Sequence, residues 1–585
     1  MLDAAEPFIL FDDNRGLEAA RARLYRDATR IIQTRDPDEI GACLQELRNA
    51  QERGLHGAGF IAYEAGHSLD EKLCSLRATP DPGAAPLLWF GLFERYEEIL
   101  PGDFLPDPKG AWSGEPIPRI EPGEYQAMVM RVKAHIEAGD IYQANLTFAA
   151  RAQTQGHPLA LYASIRGRAQ AGHGALLFTG DHWFLSFSPE LFFTLQGRKV
   201  TARPMKGTAT RHPDPARDSD TAAILSQDPK QRAENLMIVD LLRNDLSRVS
   251  KPGSVEVPSL FTVETYPTVH QLTSTITSEL EDGLSGVDVI EAIFPCGSIT
   301  GAPKLRAMEI IGEVETGPRN IYTGSIGWLE PNGDASFNVA IRTLVLKRGE
   351  TVAAIGLGSG IVADSHPDDE WRECLAKGVF VKSTIKFDLI ETMRFDPHEG
   401  IAELERHLAR MKRSALELDF PFDRHAARND LQAATFRLRE PRAVRLLLSR
   451  AGNVAIESRR LPPTPAQPAT VAIVALPVRS DDFRLRHKTS DRSFYDNARR
   501  QAGTFETVFE DPAGFLTEGS FTNIFVERDG GLLTPPSSRG LLPGILREKL
   551  IDEGLAEEAD LRPADLVQGF LIGNAIRGVI RARMG

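Results

Sequence analysis

Short apolar runs alternate with polar stretches through the first 110 residues, and this spacing predicts mixed strands and helices. The runs PFILF, GFIAYEA and LLWFGLFERY have the length and composition of buried strands. A charged stretch at about 17–54 has helical spacing. Farther on, EYQAMVMRVKAHIEAG predicts a helix leading into the strand IYQANLT, and WFLSFS predicts a buried strand that ends at Pro189. The pattern is typical of an α+β domain.

A change of pattern near residue 385 predicts the start of a second domain. KSTIKFDLIETMRFD predicts a strand, a turn and a strand, and AELERHLARMKRSALEL predicts an amphipathic helix after them. Proline-rich stretches at 101–119 and 461–468 predict a surface connector and a division of the second domain into two lobes. We therefore predict one domain at 1–383, with parts at 1–118 and 119–383, and another at 386–585.

Composition excludes several classes of protein. The chain has 585 residues, more than one core usually organises, and its 42% hydrophobic and 25% charged residues are ordinary for a globular protein. A formal net charge of -13 without a long basic run argues against a nucleic-acid partner. Four cysteines without a CxxC pair fit a reducing compartment. The start of the chain does not have a signal-peptide pattern, and no apolar run reaches the roughly 18 residues of a membrane span, so we predict a cytoplasmic location.

Two ionisable residues of the first domain predict acid–base and covalent chemistry. Glu190 follows a predicted buried strand, where a carboxyl group is costly unless it is paired or protonated. Lys206 lies in RPMKGT, and a primary amine inside a site suits covalent catalysis. The alternatives are a structural ion pair for Glu190 and a solvated loop lysine for Lys206.

Three carboxylates predict a site for a hard cation. Glu234 lies at the start of the amphipathic helix AENLMIVDLLRNDLSRV, and Glu370 and Glu373 lie three residues apart on the face of another helix. Carboxylates without a histidine or thiol cluster suit an oxygen-ligated ion, of which Mg²⁺ shared with a substrate carboxylate is the favoured one. The alternative for each is an ordinary glutamate on a helix surface.

A series of motifs in the first 383 residues resembles the chorismate-utilising enzymes. In chain order these motifs are DIYQANLT, FSPELFF, RPMKGT, ENLMIVDLLRND, FPCGSITGAPKLRAMEIIGEVE, FNVAIRTL and GSGIVADSHPDDEWRECLAKG. Together they resemble aminodeoxychorismate synthase component I. The resemblance implies a large α/β sandwich-like domain in which Mg²⁺ and arginine hold the carboxylates of chorismate.

The resemblance also implies roles for individual residues. A lysine at Lys206 marks the branch that aminates chorismate at C4, whereas anthranilate synthases, which aminate at C2, have a small residue there. Lys206 would add to C2 while Glu190, kept protonated by burial, donates a proton to the departing C4 hydroxyl. Gln143 stands where water-using relatives have a lysine base, and an amide cannot deprotonate water, so the addition of water that forms isochorismate is disfavoured.

Further site residues follow from the same resemblance. Glu234 and Glu373 would be the metal ligands, with Glu370 close by. His270 matches an active-site histidine of the family, although a satisfied core histidine is an equal alternative. Arg342 would bind a carboxylate through its guanidinium fork. The implied substrate-binding set is Arg342, Thr300, Gly301, His270, Gly358, Ser359 and Gln143.

The source of ammonia is not apparent in the chain. Neither Cys296 nor Cys374 lies in a nucleophile-elbow context with a suitable His and Glu pair. A separate glutamine amidotransferase partner is therefore implied, or free ammonium at high concentration.

Residues from 386 onward resemble the fold-type IV pyridoxal-phosphate (PLP) enzymes. The motifs are ERHLARMKRS, LRHKTSDRSFYDNAR, LTEGSFTNIFV and GLLPGILREKL. The resemblance implies Lys488 as the Schiff-base lysine and Glu518 as the residue that keeps the pyridine nitrogen protonated. It implies that the helix amides at Gly544, Ile545 and Leu546, assisted by Arg410, hold the cofactor phosphate.

Together the two resemblances imply a bifunctional enzyme that makes 4-aminobenzoate for folate synthesis. The first domain would aminate chorismate, and the second would eliminate pyruvate from the product. The alternatives are a PLP transaminase or a non-catalytic platform in the second domain. The second domain lacks the longer opening hairpin usual in free-standing lyases, and a homodimer through this domain stays open.

Overall fold

The computed structural model describes residues 6–15, 21–77, 81–266, 269–528 and 530–585. The chain folds into two compact units. The first unit comprises Met1–Pro106, Glu115–Ala152 and Ile165–Lys382. The second comprises Asp107–Gly114, Gln153–Ser164 and Ser383–Gly585. The proline-rich stretch at 101–119 is thus divided between the units.

Strands and short helices alternate through residues 6–382. The strands are β1 (Phe8–Asp12), β2 (Ala22–Tyr25), β3 (Arg30–Thr34), β4 (His56–Ile61), β5 (Leu88–Phe93), β6 (Glu97–Ile99), β7 (Trp112–Ser113), β8 (Ile117–Pro118), β9 (Gln143–Gln155), β10 (His173–Phe178), β11 (His182–Ser188), β12 (Leu191–Gln196), β13 (Lys199–Arg203), β14 (Met205–Thr210), β15 (Glu256–Thr265), β16 (Val269–Glu279), β17 (Gly301–Ala302), β18 (Ser325–Leu329), β19 (Ala335–Asn338), β20 (Thr343–Lys347) and β21 (Val352–Ile361). The α-helices are α1 (Ile40–Glu52), α2 (Pro101–Phe104), α3 (Pro122–Glu137), α4 (Pro158–Ala169), α5 (Pro215–Gln227), α6 (Pro229–Ser247), α7 (Gly286–Ile293), α8 (Lys304–Val314) and α9 (Pro367–Gly378).

Two antiparallel sheets form the first unit. One has the order β17-β9-β21-β20-β11-β10-β1-β2-β6, with β8 also paired to β9. The other has the order β14-β16-β13-β12-β19-β18-β4-β5-β3, with β15 also paired to β16. Buried side chains of both sheets share one core, in which the rings of Phe60 and Phe184 lie 4.5 Å apart. The α/β sandwich predicted from the sequence is confirmed.

Helices cover the other face of the second sheet. Leu44 of α1, Leu242 of α6 and Ile290 of α7 pack with Phe193 and Ile276 of that sheet in a second core. Each helix presents an apolar stripe to the sheet, as amphipathic spacing requires. The packing fixes α6, and with it Glu234, beside the strand β14 that carries Lys206.

The predicted helical stretch at 17–54 is partly wrong. Residues 16–20 lie outside the described residues, and 22–34 contain β2 and β3 before α1 begins at Ile40. ARLY and RIIQT are short strands, and their buried side chains Tyr25 and Ile32 join the cores of the two sheets. Charged residues around them gave the stretch a helical appearance.

The second unit has two lobes, as the sequence predicts. Its strands are β22 (Leu389–Asp396), β23 (Gly400–Ile401), β24 (Arg442–Leu448), β25 (Val454–Arg460), β26 (Ala469–Ala475), β27 (Glu506–Glu510), β28 (Leu516–Gly519), β29 (Asn523–Arg528), β30 (Gly531–Thr534), β31 (Ala556–Glu558), β32 (Phe570–Asn574) and β33 (Gly578–Met584). Its helices are α10 (Leu404–Glu417), α11 (Arg424–Thr435), α12 (Phe483–Arg486), α13 (Ser493–Ala502) and α14 (Ile545–Asp552).

Each lobe has its own sheet and core. The sheet of the first lobe has the order β23-β22-β24-β25, and α10 and α11 pack on it. The sheet of the second lobe has the order β28-β27-β26-β33-β32-β29-β30-β31. The proline-rich stretch at 461–468 runs between the two sheets, from β25 to β26. Among the described residues, no helix is both long and apolar enough to cross a membrane.

Candidate active sites

Glu190 lies in the turn between β11 and β12 and is buried. Its side chain accepts a hydrogen bond from the Ser298 hydroxyl, with 2.7 Å between the oxygens. Only 4% of the residue is exposed. Burial raises the pKa of Glu190 above its ordinary value, against the hydrogen bond from Ser298 and the charge of Lys206, which lower it. The site therefore favours a carboxyl group that retains its proton.

Lys206 extends from β14 toward the glycine-rich strand β21. A methyl group placed on Gly360 would lie 3.0 Å from Lys206 Nζ and 2.9 Å from Gln143 Nε2, so the three residues meet at one point. The pKa of Lys206 is lowered, first by burial of its amino group and then by the charge of Lys377. Glu234, Glu190 and Glu373 act in the opposite direction. The balance favours a larger fraction of neutral, nucleophilic amine.

Gln143 presents an unsatisfied amide at the same point. The residue is 1% exposed, and neither its Nε2 nor its Oε1 has a hydrogen-bond partner among the described residues. Leaving such a group unpaired costs about 1–3 kcal/mol. A polar ligand placed between Gln143 and Lys206 would relieve that cost.

In the loop before β17, the polar groups of Thr300 form hydrogen bonds within the loop. Thr300 is fully buried, its hydroxyl donates to the carbonyls of Cys296 and Gly297, and its amide also donates to Gly297. Gly301 has a φ of 153°, and a methyl group there would lie 2.2 Å from the Gln143 carbonyl oxygen. Only glycine allows this close approach to β9. The substrate-binding roles of Thr300 and Gly301 stay predictions.

Gly358 and Ser359 lie in β21 and are engaged with the protein. The Gly358 carbonyl accepts from Lys377 Nζ at 2.9 Å. The Ser359 hydroxyl is buried and lies 2.9 Å from the Tyr125 hydroxyl. Their predicted contact with substrate would therefore have to come from backbone groups.

His270 belongs to a buried polar network. Its Nδ1 lies 3.0 Å from the Thr265 hydroxyl and its Nε2 3.0 Å from Asp218 Oδ1. Asp218 also accepts from Arg211 Nε at 2.7 Å. Both ring nitrogens are thus occupied. This geometry supports the alternative of a satisfied core histidine.

Arg342 offers a guanidinium group for an anionic ligand. It lies just before β20 with a φ of 51°, and its carbonyl accepts from the Phe187 amide at 3.0 Å. Across the described part of the chain, its side chain has no hydrogen bond or ion pair. Burial lowers the pKa of Arg342, against the effects of Tyr266 and Tyr322. A half-buried guanidinium of this kind suits a carboxylate ligand.

The three predicted metal ligands do not form a ready metal site. Glu373 pairs with Lys377 at 2.7 Å. Glu234 and Glu370 are half-buried, and burial raises the pKa of Glu234 against Lys206 and Lys230. In the described ranges, no group of three or more His, Cys, Asp or Glu side chains is placed to hold a metal ion. The donor types suit Mg²⁺, but the arrangement does not fit it without separating Glu373 from Lys377.

Lys488 and Glu518 form the centre of the second candidate site. Burial, followed by the charge of Arg410, lowers the pKa of Lys488 to about 7. Glu518 is 3% exposed and accepts hydrogen bonds from the Tyr495 hydroxyl and from the Leu542 amide, the latter at 3.0 Å. Burial raises the pKa of Glu518 to about 7, against the hydrogen bond from Tyr495. A partly neutral amine and a fixed buried carboxyl suit the two roles predicted for them.

Arg410 is held rigidly in front of α14. Its Nε and Nη2 donate to Glu391 at 2.8 and 2.7 Å, and its Nη1 donates to the Pro543 carbonyl at 2.8 Å. Glu391 also lies 2.6 Å from His407 Nδ1. Burial alone would raise the pKa of Glu391, but Arg410 and His407 hold it at about 2. The ion pair fixes the guanidinium beside the start of α14.

The start of α14 is shaped as an anion-binding end. Gly544 caps the helix, and a methyl group there would lie 1.9 Å from Asn523 Oδ1, so any larger residue would displace the Asn523 amide. The helix begins at Ile545, and the amides of Ile545 and Leu546 belong to the first turn, where helix geometry leaves them without intrahelical partners. Together with Arg410 they fit a phosphate group. The residues present therefore fit PLP.

Several site residues were missed from the sequence. Ser298 and Gly360 lie in the motifs CGSITG and GSG, which marked their segments but not their roles. Lys377 follows Glu373 by four residues on α9, a spacing that predicts a helix ion pair.

No motif or spacing in the sequence pointed to a role for Glu506. It is fully buried in β27 and accepts from the amides of Thr507 and Ser520 at 2.8 and 2.9 Å, and from the Thr522 hydroxyl at 2.8 Å. These bonds fix the turn that follows Glu518. Its role is visible only in the folded chain.

Comparison with known proteins now identifies the family. Residues 6–383 match the model of the chorismate binding enzymes, and the chain belongs to that family. Residues 388–584 match the model of class IV amino-transferases. A chorismate-binding domain is therefore followed by a fold-type IV aminotransferase domain.

Individual relatives include both kinds of aminating enzyme. The chain is 44% identical to aminodeoxychorismate synthase component 1 of Salmonella typhimurium over 254 residues, 43% of this chain and 56% of that one. It is 41% identical to anthranilate synthase component 1 of Methanothermobacter marburgensis over 253 residues, 43% of this chain and 54% of that one. The chain thus spans little more than half the length of these relatives.

A solved structure supports the fold of the first unit. Anthranilate synthase component I from Streptococcus pneumoniae is 26% identical and superimposes with a TM-score of 0.54, covering 63% of this chain and 93% of that one. Because relatives of both kinds match at similar identity, the position of amination has to be argued from the site.

Proposed function

We propose that the chain makes 4-aminobenzoate from chorismate in two steps of the folate pathway. The first unit would aminate chorismate at C4 to give 4-amino-4-deoxychorismate. The second would eliminate pyruvate from that product with PLP. The observation that supports the first step is that the half-buried Lys206 amine and the buried, proton-retaining Glu190 act on each other's charge.

The residues of the first unit suit an addition–elimination at the ring. The neutral Lys206 amine adds at C2 while Glu190 gives its proton to the C4 hydroxyl, which leaves as water. Ammonia then adds at C4 and expels the lysine. Arg342 is the group available to hold a chorismate carboxylate. Mg²⁺ stays a prediction from the residue types.

The ammonia is proposed to come from a separate glutamine amidotransferase. The names of several similar proteins call them component 1 of their synthases, which supports a second component. Free ammonium at high concentration would replace that partner in an assay.

In the second unit, Lys488 is proposed to move the proton. PLP, when bound, supplies an electron sink for the carbon that carries the amine. Lys488 takes the proton from C4, and pyruvate leaves from C3, which makes the ring aromatic. Glu518 would keep the cofactor nitrogen protonated, and Arg410 with the α14 amides would bind its phosphate.

The test is an end-point assay of the full chain with chorismate, Mg²⁺, PLP and ammonium. The wild type should give 4-aminobenzoate and pyruvate, whereas Lys488→Ala should stop at aminodeoxychorismate and Lys206→Ala should leave chorismate unused. Lys251→Ala, at a half-buried lysine of the same unit that pairs with Glu279, is the matched control.

Each other product pattern would contradict one part of the proposal. Anthranilate from the wild type would refute amination at C4. Aminodeoxychorismate as the final wild-type product would refute the lyase step. If pyruvate release or transfer of the amino group requires an added 2-oxo acid, the second unit is a transaminase and not a lyase.

A further inference from the structure

A cavity in the second unit has two arginines in its wall. Its volume is about 250 Å³, and the residues that matter here are Thr392, Arg499, Phe521, Asn574 and Arg577. The described residues that line it include no Asp or Glu. A cavity with two cations and no acid in its wall suits an anionic ligand.

The cavity borders on the segments that carry the PLP-site residues. Thr392 is the next residue after Glu391 in β22, so the two side chains point to opposite faces of that strand. Phe521 lies in the turn after Glu518, and its amide donates to Glu506 at 3.2 Å. The Phe521 carbonyl in turn accepts from Asn574 Nδ2 at 3.1 Å. One wall is therefore built by the turn that positions Glu518.

Arg577 is the better placed of the two cations. Its amide donates to Asn574 Oδ1 at 3.0 Å, and its Nη1 donates to the Pro463 carbonyl at 2.6 Å. Burial lowers the pKa of Arg577, against the charge of the Glu506 carboxylate. Backbone contacts thus orient the side chain, and the nearby Glu506 carboxylate already accepts hydrogen bonds from Thr507, Ser520 and Thr522.

Arg499 contributes a second, weaker cation. It pairs at 3.4 Å with Asp496, its neighbour on α13, and its guanidinium lies 5.0 Å from the centre of the Phe521 ring. An exposed pair at this distance is worth little. The guanidinium therefore remains available to an anion that enters beside the aromatic ring.

We propose that Arg577, assisted by Arg499, binds a carboxylate of the amino-acid substrate in this cavity and so determines substrate selection in the second unit. The proposal rests on the proposed lyase function and deepens it. The substrate of that step has two carboxylates, one on the ring and one on the enolpyruvyl group. A guanidinium fork beside an aromatic face suits a flat carboxylate next to an unsaturated ring.

The test compares Arg577→Met, Arg577→Lys and Arg499→Met with Arg500→Met, in the full chain loaded with PLP. Arg500 is exposed on the same helix as Arg499 and does not line the cavity. Two quantities are measured: KM for aminodeoxychorismate in pyruvate release, and the equilibrium Kd of 4-aminobenzoate or pyruvate from the change in cofactor absorbance.

Arg577→Met should raise KM at least tenfold with a smaller change in kcat, because a hydrogen bond to a charged group is lost. Arg577→Lys should restore part of that loss, Arg499→Met should raise KM severalfold, and Arg500→Met should change nothing. Weaker binding of 4-aminobenzoate would assign the site to the ring carboxylate. Weaker binding of pyruvate would assign it to the enolpyruvyl carboxylate.

Unchanged KM and Kd in both Arg577→Met and Arg499→Met would overturn the proposal while leaving the lyase function intact. If the wild type releases no pyruvate but Arg577→Met still weakens binding of either probe, the lyase function fails and the carboxylate site stands. If Arg577→Met does not fold, Arg577→Lys and Arg499→Met decide by the same two quantities.

Discussion

The two candidate sites pair a lysine with a buried glutamate, but they differ in how completely the protein fixes them. Glu518 accepts from Tyr495 and from a backbone amide, and Arg410 nearby is held by Glu391 and Pro543. In the first unit, Glu190 accepts from the Ser298 hydroxyl and from the backbone of Met205, and it has no arginine ion pair of this kind among the described residues.

Both sites hold buried polar atoms that have no hydrogen-bond partner among the described residues, and near Lys488 these are His407 Nε2 and Arg492 Nη1. Both amide atoms of Gln143 lack partners, and the Arg342 side chain lacks an ion pair, within the ranges that the structure describes. Unpaired buried polar groups cost stability. We infer that the part of the second site around Arg410 is preformed, whereas the Gln143 amide of the first site is left for a ligand.

Glu190→Gln should have the largest effect. Glutamine can still accept from Ser298, so the fold is kept, but it cannot give a proton to the leaving hydroxyl. We expect C4 amination to slow by roughly 10²–10⁴-fold, while pyruvate release from supplied aminodeoxychorismate stays unchanged. Steady-state rates of both steps measure this. The exposed Glu281→Gln is the control, and an amination rate within threefold of wild type would exclude Glu190 as the acid.

Glu391→Gln should break the preformed part of the second site. It removes the carboxylate that pairs with buried Arg410 and His407, and breaking a buried pair costs about 3–5 kcal/mol. The free energy of opening of α10, from hydrogen exchange, should fall by that amount. Glu405→Gln, at an exposed ion pair with Arg424 and Arg428, should change it by less than about 1 kcal/mol.

The same pair has a defined pH dependence. The pKa of Glu391 is about 2, below its ordinary value of 4.5. Its contribution to stability is therefore present above pH 4.5 and is lost as the pH falls toward 2. Wild type and Glu391→Gln should approach the same stability at low pH. A constant difference across that range would contradict the assigned pair.

Local patterns predicted much of the fold. The helix α3 leading into β9, the strand β11 ending before Pro189, and the turn into α14 were all readable from periodicity, proline and glycine. The strands β2 and β3 were missed because each is too short to show alternation among its charged neighbours. The segments 107–114 and 153–164 join the second unit through contacts that sequence spacing does not encode.

Long-range partners were the least predictable part of the sites. Ser298 is 108 residues from Glu190, and Asp218 is 52 from His270. Motifs located the candidate residues. Their hydrogen-bond partners, however, come from segments that are distant in sequence and adjacent only in the folded chain. His270 shows the consequence, because its network indicates a core histidine where a family motif suggested a substrate contact.

Gly360→Ala should slow amination in the first unit, because the added methyl group crowds the Lys206 site. The added methyl group would lie about 3 Å from Lys206 Nζ and Gln143 Nε2, so both must shift. We expect kcat/KM for amination to fall about tenfold, since small displacements of a reacting group are costly. Gly123→Ala in α3, with nothing within 4 Å of its methyl position, is the control. An unchanged kcat/KM would place the reacting amine away from β21.

The smallest effect concerns how pH controls capture of PLP by Lys488. Its pKa is lowered to about 7, so the amine is mostly neutral at pH 8 and mostly protonated at pH 6. The rate at which protein without cofactor captures PLP should fall about tenfold per pH unit below 7 and level off above it. Stopped-flow absorbance measures that rate. An ordinary lysine would still gain rate between pH 8 and 10, so a continued rise there would show that burial and Arg410 do not prepare Lys488 before the cofactor arrives.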